Sequence, residues 1–187
     1  MLELREHISA EELDAYVAAS PFVHYMKTSM WGTFRHNTER DNASYLGFYA
    51  QNRLVAVAMV LQNTWLGHPY LYVPWGPCMD YTDAELTREV FTLLKAYADQ
   101  KKVQFLRVDP NVVRRHHALD GSLIADGFSN EALTEQLKKN GYLHKGYGYA
   151  YNGSWTNRYT LIVDLSADEK TIVSRFSRQR KTTLNRH

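Results

Sequence analysis

Tyr70-Leu-Tyr-Val-Pro-Trp-Gly-Pro-Cys-Met-Asp-Tyr81 leads into a capped helix and then into Val103-Gln-Phe-Leu-Arg-Val-Asp-Pro110. The first segment reads as a strand followed by a stiff Gly-Pro loop. The second reads as a buried-type strand that ends on a carboxylate. Strand, helix and strand in this order make a parallel crossover, whose two strand ends open side by side, the usual place for a site in a sheet protein. The loop lacks the glycines of a nucleotide-binding turn.

Outward from this core the elements follow from patterning. Ser9-Ala-Glu-Glu12 is a capping box, and Leu13, Tyr16 and Val17 give a stripe that predicts a helix to about Ala19, stopped at Pro21. Residues 27–36 read as a short second helix. Ser44–Tyr49 and Leu54–Thr64 read as strands joined by a tight polar turn at 51–53, and Gly67-His68-Pro69 turns into the strand at Tyr70. Thr82-Asp-Ala-Glu85 is a second capping box, opening a helix with Leu86, Val90, Leu93, Leu94 and Tyr97 on one face. Residues 110–128 are irregular. Ser129 begins a helix that ends at Gly141, a glycine suited to a C-terminal cap. Strands at Tyr142–Tyr151 and Tyr159–Asp164 follow, and Ser166-Ala-Asp-Glu169 caps a last helix that runs to the end of the chain. The expected order, α-α-β-β-β-α-β-α-β-β-α, is that of a GNAT-type N-acyltransferase, an α+β fold with a mixed sheet flanked by helices. The expected division is one domain over 1–174 and a basic segment over 175–187.

With 187 residues, 44% hydrophobic and 22% charged, the chain can build one sizeable core. Its single cysteine, Cys78, excludes an internal disulfide, and no apolar run reaches the length of a membrane span or a signal peptide. The expectation is a cytoplasmic protein. The net charge of +2 is unevenly placed: Arg175, Arg178, Arg180, Lys181 and Arg186 crowd the last thirteen residues without an acid. The remainder carries 17 basic against 20 acidic residues. Such an end is either a polyanion contact or a solvated last helix.

An acetyl-CoA enzyme places glycine N–H groups around the pyrophosphate at a helix N-terminus. Here the corresponding turn is Pro74-Trp-Gly-Pro-Cys-Met-Asp80, where Pro77 removes a donor and Asp80 and Asp83 put negative charge beside the phosphates. Coenzyme A is not expected, and no cofactor is. Asp109, at the strand end ahead of Pro110, is either a general base or amine-holding group, or a turn cap. Arg107 lies two residues earlier on the same strand face and can pair with it. Trp31 and Arg35 share a helix face, where they either stack on a base and grip a phosphate or are a core tryptophan beside a snorkelling arginine. Tyr147, Tyr149 and Tyr151 alternate along one strand, as a stacking platform or as sheet packing. The histidines show no zinc-ligand spacing and no nucleophile elbow is present, so neither a metal nor an acyl-enzyme is expected.

Pro21-Phe22, Trp31 with Arg35, Tyr72-Val-Pro-Trp-Gly-Pro-Cys-Met-Asp-Tyr81, Leu106-Arg-Val-Asp-Pro110, Asn140-Gly-Tyr142 and the closing Arg178-Gln-Arg-Lys-Thr-Thr-Leu-Asn-Arg186 fall in the order and spacing of the Fem (FemABX) transferases, which the chain resembles over nearly its whole length. The resemblance implies transfer of an amino acid from aminoacyl-tRNA to the stem-peptide amine of a peptidoglycan precursor, either UDP-MurNAc-pentapeptide or lipid II, in cell-wall biogenesis that sustains cell shape. It implies two tandem GNAT-like domains in the complete enzyme, so this chain looks like the first of them, inactive alone. It admits a peripheral membrane contact and requires no metal. By position, Arg35 falls where such enzymes have a lysine that contacts the precursor's phosphates, and Asp109 on a carboxylate implicated in activity. Trp31, Trp75, Gly76 and Arg107 complete the expected acceptor site. Gln104 falls where a relative has a tyrosine near the substrate. Arg178, Arg180 and Lys181 would face tRNA. Two other readings stay open: a free-standing N-acyltransferase with another acyl donor, and a non-catalytic tRNA- or precursor-binding module.

Overall fold

The computed structural model describes residues 1–118, 120–125, 127–146 and 166–177, which fall in two compact units, 1–145 and 146–187. In the first unit the elements are β1 (Glu3–Glu6), α1 (Ala10–Ala19), a single 3-10 turn (Tyr25–Lys27), α2 (Ser29–Glu39), β2 (Asn42–Ala50), β3 (Arg53–Trp65), β4 (His68–Val73), β5 (Cys78–Met79), α3 (Ala84–Gln100), β6 (Phe105–Val108) and α4 (Glu131–Lys139). In the second, α5 (Glu169–Ser174) is capped by Asp168, which accepts from the Thr171 N–H at 3.0 Å.

The strands form one mixed sheet in the order β1-β2-β3-β4-β6, with β5 added to β3. β3 is its axis. Ala56, Ala58 and Val60 point to one face, against Val90, Phe91 and Leu94 of α3; Val57, Met59 and Leu61 point to the other, against Leu13 and Val17 of α1. Burial on both faces explains why this strand reads as an unbroken apolar run. The β2–β3 turn holds Gln51 and Asn52 at φ 49° and 64°, the pair of left-handed residues that a two-residue hairpin requires.

The crossover is present as expected. β4 and β6 run parallel, with Tyr70, Leu71, Tyr72 and Val73 opposite Phe105, Leu106, Arg107 and Val108. β4 pairs with β3 only as far as Tyr72, opposite Leu61; the chain then leaves the sheet and returns as β5, where Cys78 lies opposite Val57. Residues 74–77 therefore fill the gap that opens in the sheet beyond Tyr72.

Several elements differ from expectation. β1 was unforeseen: its Leu4, with Leu2 just before it, packs on the core while Arg5 and Glu3 pair outside at 2.8 Å, and the outward charges masked a period-two signal. The cap of α3 is Asp83, accepting from the Leu86 N–H at 2.9 Å, because the Thr82 N–H and hydroxyl are already held by Asp80. The helix expected from Ser129 begins at Glu131. It does end at Gly141 (φ 85°), where the N–H groups of Gly141 and Tyr142 return to the carbonyls of Lys138 and Leu137 in a Schellman closure. Residues 142–146 form no strand; the rest of that expected strand and the one at 159–164 lie outside the described residues. The last helix stops at Ser174.

Candidate active site

The Asp109 carboxylate closes the loop onto β6. Its Oδ1 accepts the Trp75 N–H and its Oδ2 accepts the Tyr72 hydroxyl, each at 2.7 Å. The Asn111 N–H donates to the Trp75 carbonyl at 3.3 Å, so both polar backbone groups of Trp75 are engaged by the chain around Asp109. Trp75 itself has φ 53°, a conformation that a bulky residue holds only when its surroundings impose it. Gly76 is closely packed: a Cβ there would lie 3.0 Å from Val73 Cγ1, which would have to give way by a few tenths of an ångström. Behind the loop, the Tyr81 hydroxyl donates to the Pro77 carbonyl at 2.6 Å, and burial pushes that phenol well above its ordinary pKa.

Phe105, Arg107 and Asp109 lie along one face of β6, beside Tyr70 and Tyr72 of β4. The Arg107 guanidinium sits 4.6 Å over the Tyr72 ring, and the Tyr70 and Phe105 rings stack at 4.9 Å. Trp75, Gly76, Arg107 and Asp109 are therefore together, as expected from sequence. Trp31 is joined to them through other rings. Trp75 stacks flat on His24 (3.9 Å, 2°), His24 on Tyr25 (4.6 Å), Tyr25 packs edge-on to Trp31 (5.4 Å), and Trp31 stacks on Phe34 (5.0 Å). The Trp75 Nε1 is buried without a hydrogen-bond partner among the described residues.

Arg35 stands apart. Its guanidinium is held by Asp41, which in turn takes the Asn63 amide. Asn63 pairs with Tyr70, whereas Asp109 follows the Val73–Val108 pair. The two ends are about four residues apart along the strands, roughly 13 Å. Arg178, Arg180 and Lys181 lie outside the described residues, as do Tyr147, Tyr149 and Tyr151.

Sequence reasoning missed two titratable groups beside the loop. Lys27 is 2% exposed, donates to the Phe22 carbonyl at 2.5 Å and pairs with no carboxylate among the described residues; burial pushes its pKa down, partly offset by the nearby Cys78. His24 accepts the Met26 N–H on Nδ1 at 3.2 Å, which leaves the proton of the neutral ring on Nε2. Burial, and then the charge of Lys27, lower its pKa. The only local signal was a lysine inside an aromatic run, Phe22-Val-His-Tyr-Met-Lys27.

The loop is unsuited to a coenzyme's pyrophosphate. Pro74 and Pro77 lack an N–H, that of Trp75 is taken by Asp109, and Asp80 caps its own turn. The FemAB family model matches residues 8–187. The chain belongs to the FemAB family. Within it, the "Aminoacyltransferase FemB" of Staphylococcus epidermidis is 26% identical over 136 residues, 72% of this chain and 32% of that protein. The "Aminoacyltransferase FemA" of Staphylococcus aureus (strain bovine RF122 / ET3-1) is 24% identical over 162 residues, 85% of this chain and 38% of that one. A solved structure of FemX superposes with a TM-score of 0.73 at 20% identity, covering 98% of this chain and 42% of that one. This FemAB chain thus spans about a third of the length of the curated relatives it matches, and shares its fold with FemX.

Proposed function

We propose that this chain is the acceptor-binding part of an aminoacyltransferase that joins an amino acid, carried as a tRNA ester, to the stem-peptide amine of a peptidoglycan precursor. The observation that carries this reading is the Asp109 clamp: a carboxylate at a strand end, against a loop that offers no cradle for coenzyme A, in a chain of the FemAB family. The amine, as free base, attacks the ester carbonyl; the new C–N bond forms, the C–O bond to the terminal ribose breaks, and the proton lost by nitrogen ends on the departing hydroxyl. An ester is already activated, so holding the amine in line supplies much of the rate and no protein nucleophile is needed. Asp109 is the group that would hold that amine, with Arg107 and the Trp75 ring shaping the pocket and Trp31 and Arg35 reaching the rest of the precursor. The basic residues Arg178, Arg180 and Lys181 would meet tRNA, and the reaction would take place on the cytoplasmic side. A peripheral contact with the membrane would bring it to a lipid-linked acceptor; no helix among the described residues is long and apolar enough to cross a membrane.

Calorimetric titration of the protein with UDP-MurNAc-pentapeptide and, separately, with acetyl-CoA tests the reading. The precursor is expected to bind and the coenzyme not to. Binding of acetyl-CoA alone would overturn it.

A further inference from the structure

The side-on edge of the Arg35 guanidinium is held from behind. Nε donates to Oδ2 of Asp41 at 2.7 Å, Nη2 lies 2.6 Å from the same oxygen in an ion pair, and Asp41 is 1% exposed. The other carboxylate oxygen takes the Asn63 amide, whose own carbonyl oxygen accepts the Thr64 N–H at 2.6 Å. His36 Nδ1 lies 3.0 Å from the Asp41 backbone carbonyl. One buried carboxylate thus bolts the last turn of α2 to the outer end of β3. A guanidinium has five donors in a rigid fork. Asp41 engages its side edge, while the end edge, Nη1 with the outer proton of Nη2, is not used by Asp41, and the side chain keeps 26% exposure.

We infer that Asp41 is a positioning residue, which fixes Arg35 so that the end edge of its guanidinium receives a diphosphate. This rests on the reading of the acceptor as a precursor, since both the nucleotide-linked and the lipid-linked forms carry that group. The fork suits phosphate oxygens taken two at a time, and a fork already oriented loses less freedom on binding. The contrary view is that Asp41 simply neutralises Arg35. The two views predict opposite signs. Removing an anion from beside the guanidinium strengthens its pull on a phosphate if neutralisation is the role, and weakens binding if orientation is.

The test is calorimetric titration of the 187-residue protein with UDP and, in a second arm, with farnesyl diphosphate, which separates a nucleotide-linked from a prenyl-linked source. Asp41→Asn is expected to weaken binding of the preferred probe at least fivefold. Arg35→Lys should do the same, because an ammonium drawn to Asp41 cannot also present a fork. The double variant Arg35→Lys/Asp41→Asn should regain affinity over the single lysine variant, a recovery that general destabilisation does not produce. Unchanged or tighter binding by Asp41→Asn, no recovery in the double variant, or no binding of either probe by the unaltered protein would each overturn the inference. Diphosphate binding that follows this pattern without any binding of UDP-MurNAc-pentapeptide would leave the positioning role standing and sink the acceptor reading instead.

Discussion

Asp109 holds its loop through Oδ1, which accepts the Trp75 N–H, and Oδ2, which accepts the Tyr72 hydroxyl, and in the proposed reaction its charge also steadies the amine. Substitution separates the two roles because the partners differ. The Trp75 N–H can only donate, but the Tyr72 hydroxyl can turn and accept. Asp109→Asn can therefore keep both contacts, with Oδ1 on Trp75 and Nδ2 toward Tyr72, while losing the charge. If the charge steadies the amine, turnover by the complete enzyme should fall about 100-fold or more, within the range of general acid–base and electrostatic contributions. The melting temperature should move little. A steady-state assay beside a thermal melt checks both, and unchanged turnover would reduce Asp109 to a loop clamp.

Among the elements, β3 has strands on both sides, β2 on one and β4 and β5 on the other, and side chains buried on both faces. β1 ends the order of strands. Amides of residues 56, 57 and 61, which have strands on both sides, should accordingly exchange last, close to the rate of global unfolding, and those of β1 at least about tenfold faster. Equal protection of β1, measured by hydrogen exchange with mass spectrometry, would contradict the sheet order. The elements legible in the sequence are those whose pattern is long: the apolar run of β3, the 3.6-residue stripe of α3, and the capping box at Ser9, which accepts the Glu12 N–H at 3.1 Å. Those missed are short or conditional. β5 is two residues long, and Cys78 and Met79 are strand only because β3 leaves an edge open there. The cluster at Trp75, Arg107 and Asp109 was legible because adjacent parallel strand ends must meet. The Asp41 anchor was not, since Arg35, Asp41 and Asn63 form no spaced pattern and only the tertiary fold carries Asn63 to Asp41.

For the molecule as a whole, an ionisable core group costs stability in a pH-dependent way, and Lys27 contributes such a dependence on the alkaline side, below the pH at which tyrosines with pKa values raised by burial begin to act with the opposite sign. Its pKa in the folded chain is lowered from 10.5, so between the folded value and 10.5 the unfolded chain holds the extra proton, and stability rises with pH across that window. Below the folded value both states carry the charge and the cost is full. His24 acts with the same sign lower down: its pKa is lowered from 6.5, so stability falls as pH drops below 6.5, where the unfolded chain protonates first. Lys27→Met replaces a buried charge with an apolar chain of similar length, and the freed Phe22 carbonyl only partly offsets the gain. At pH 7 the variant should be more stable by on the order of 1 kcal/mol, about 2–4 °C in Tm for a chain of this size. It should also lose the alkaline rise while keeping an acid limb. Thermal melts from pH 5 to 10.5 separate the two groups. An alkaline rise that persists in Lys27→Met would mean that the buried amine is not its source, and that the pocket behind the loop is better solvated than its 2% exposure indicates.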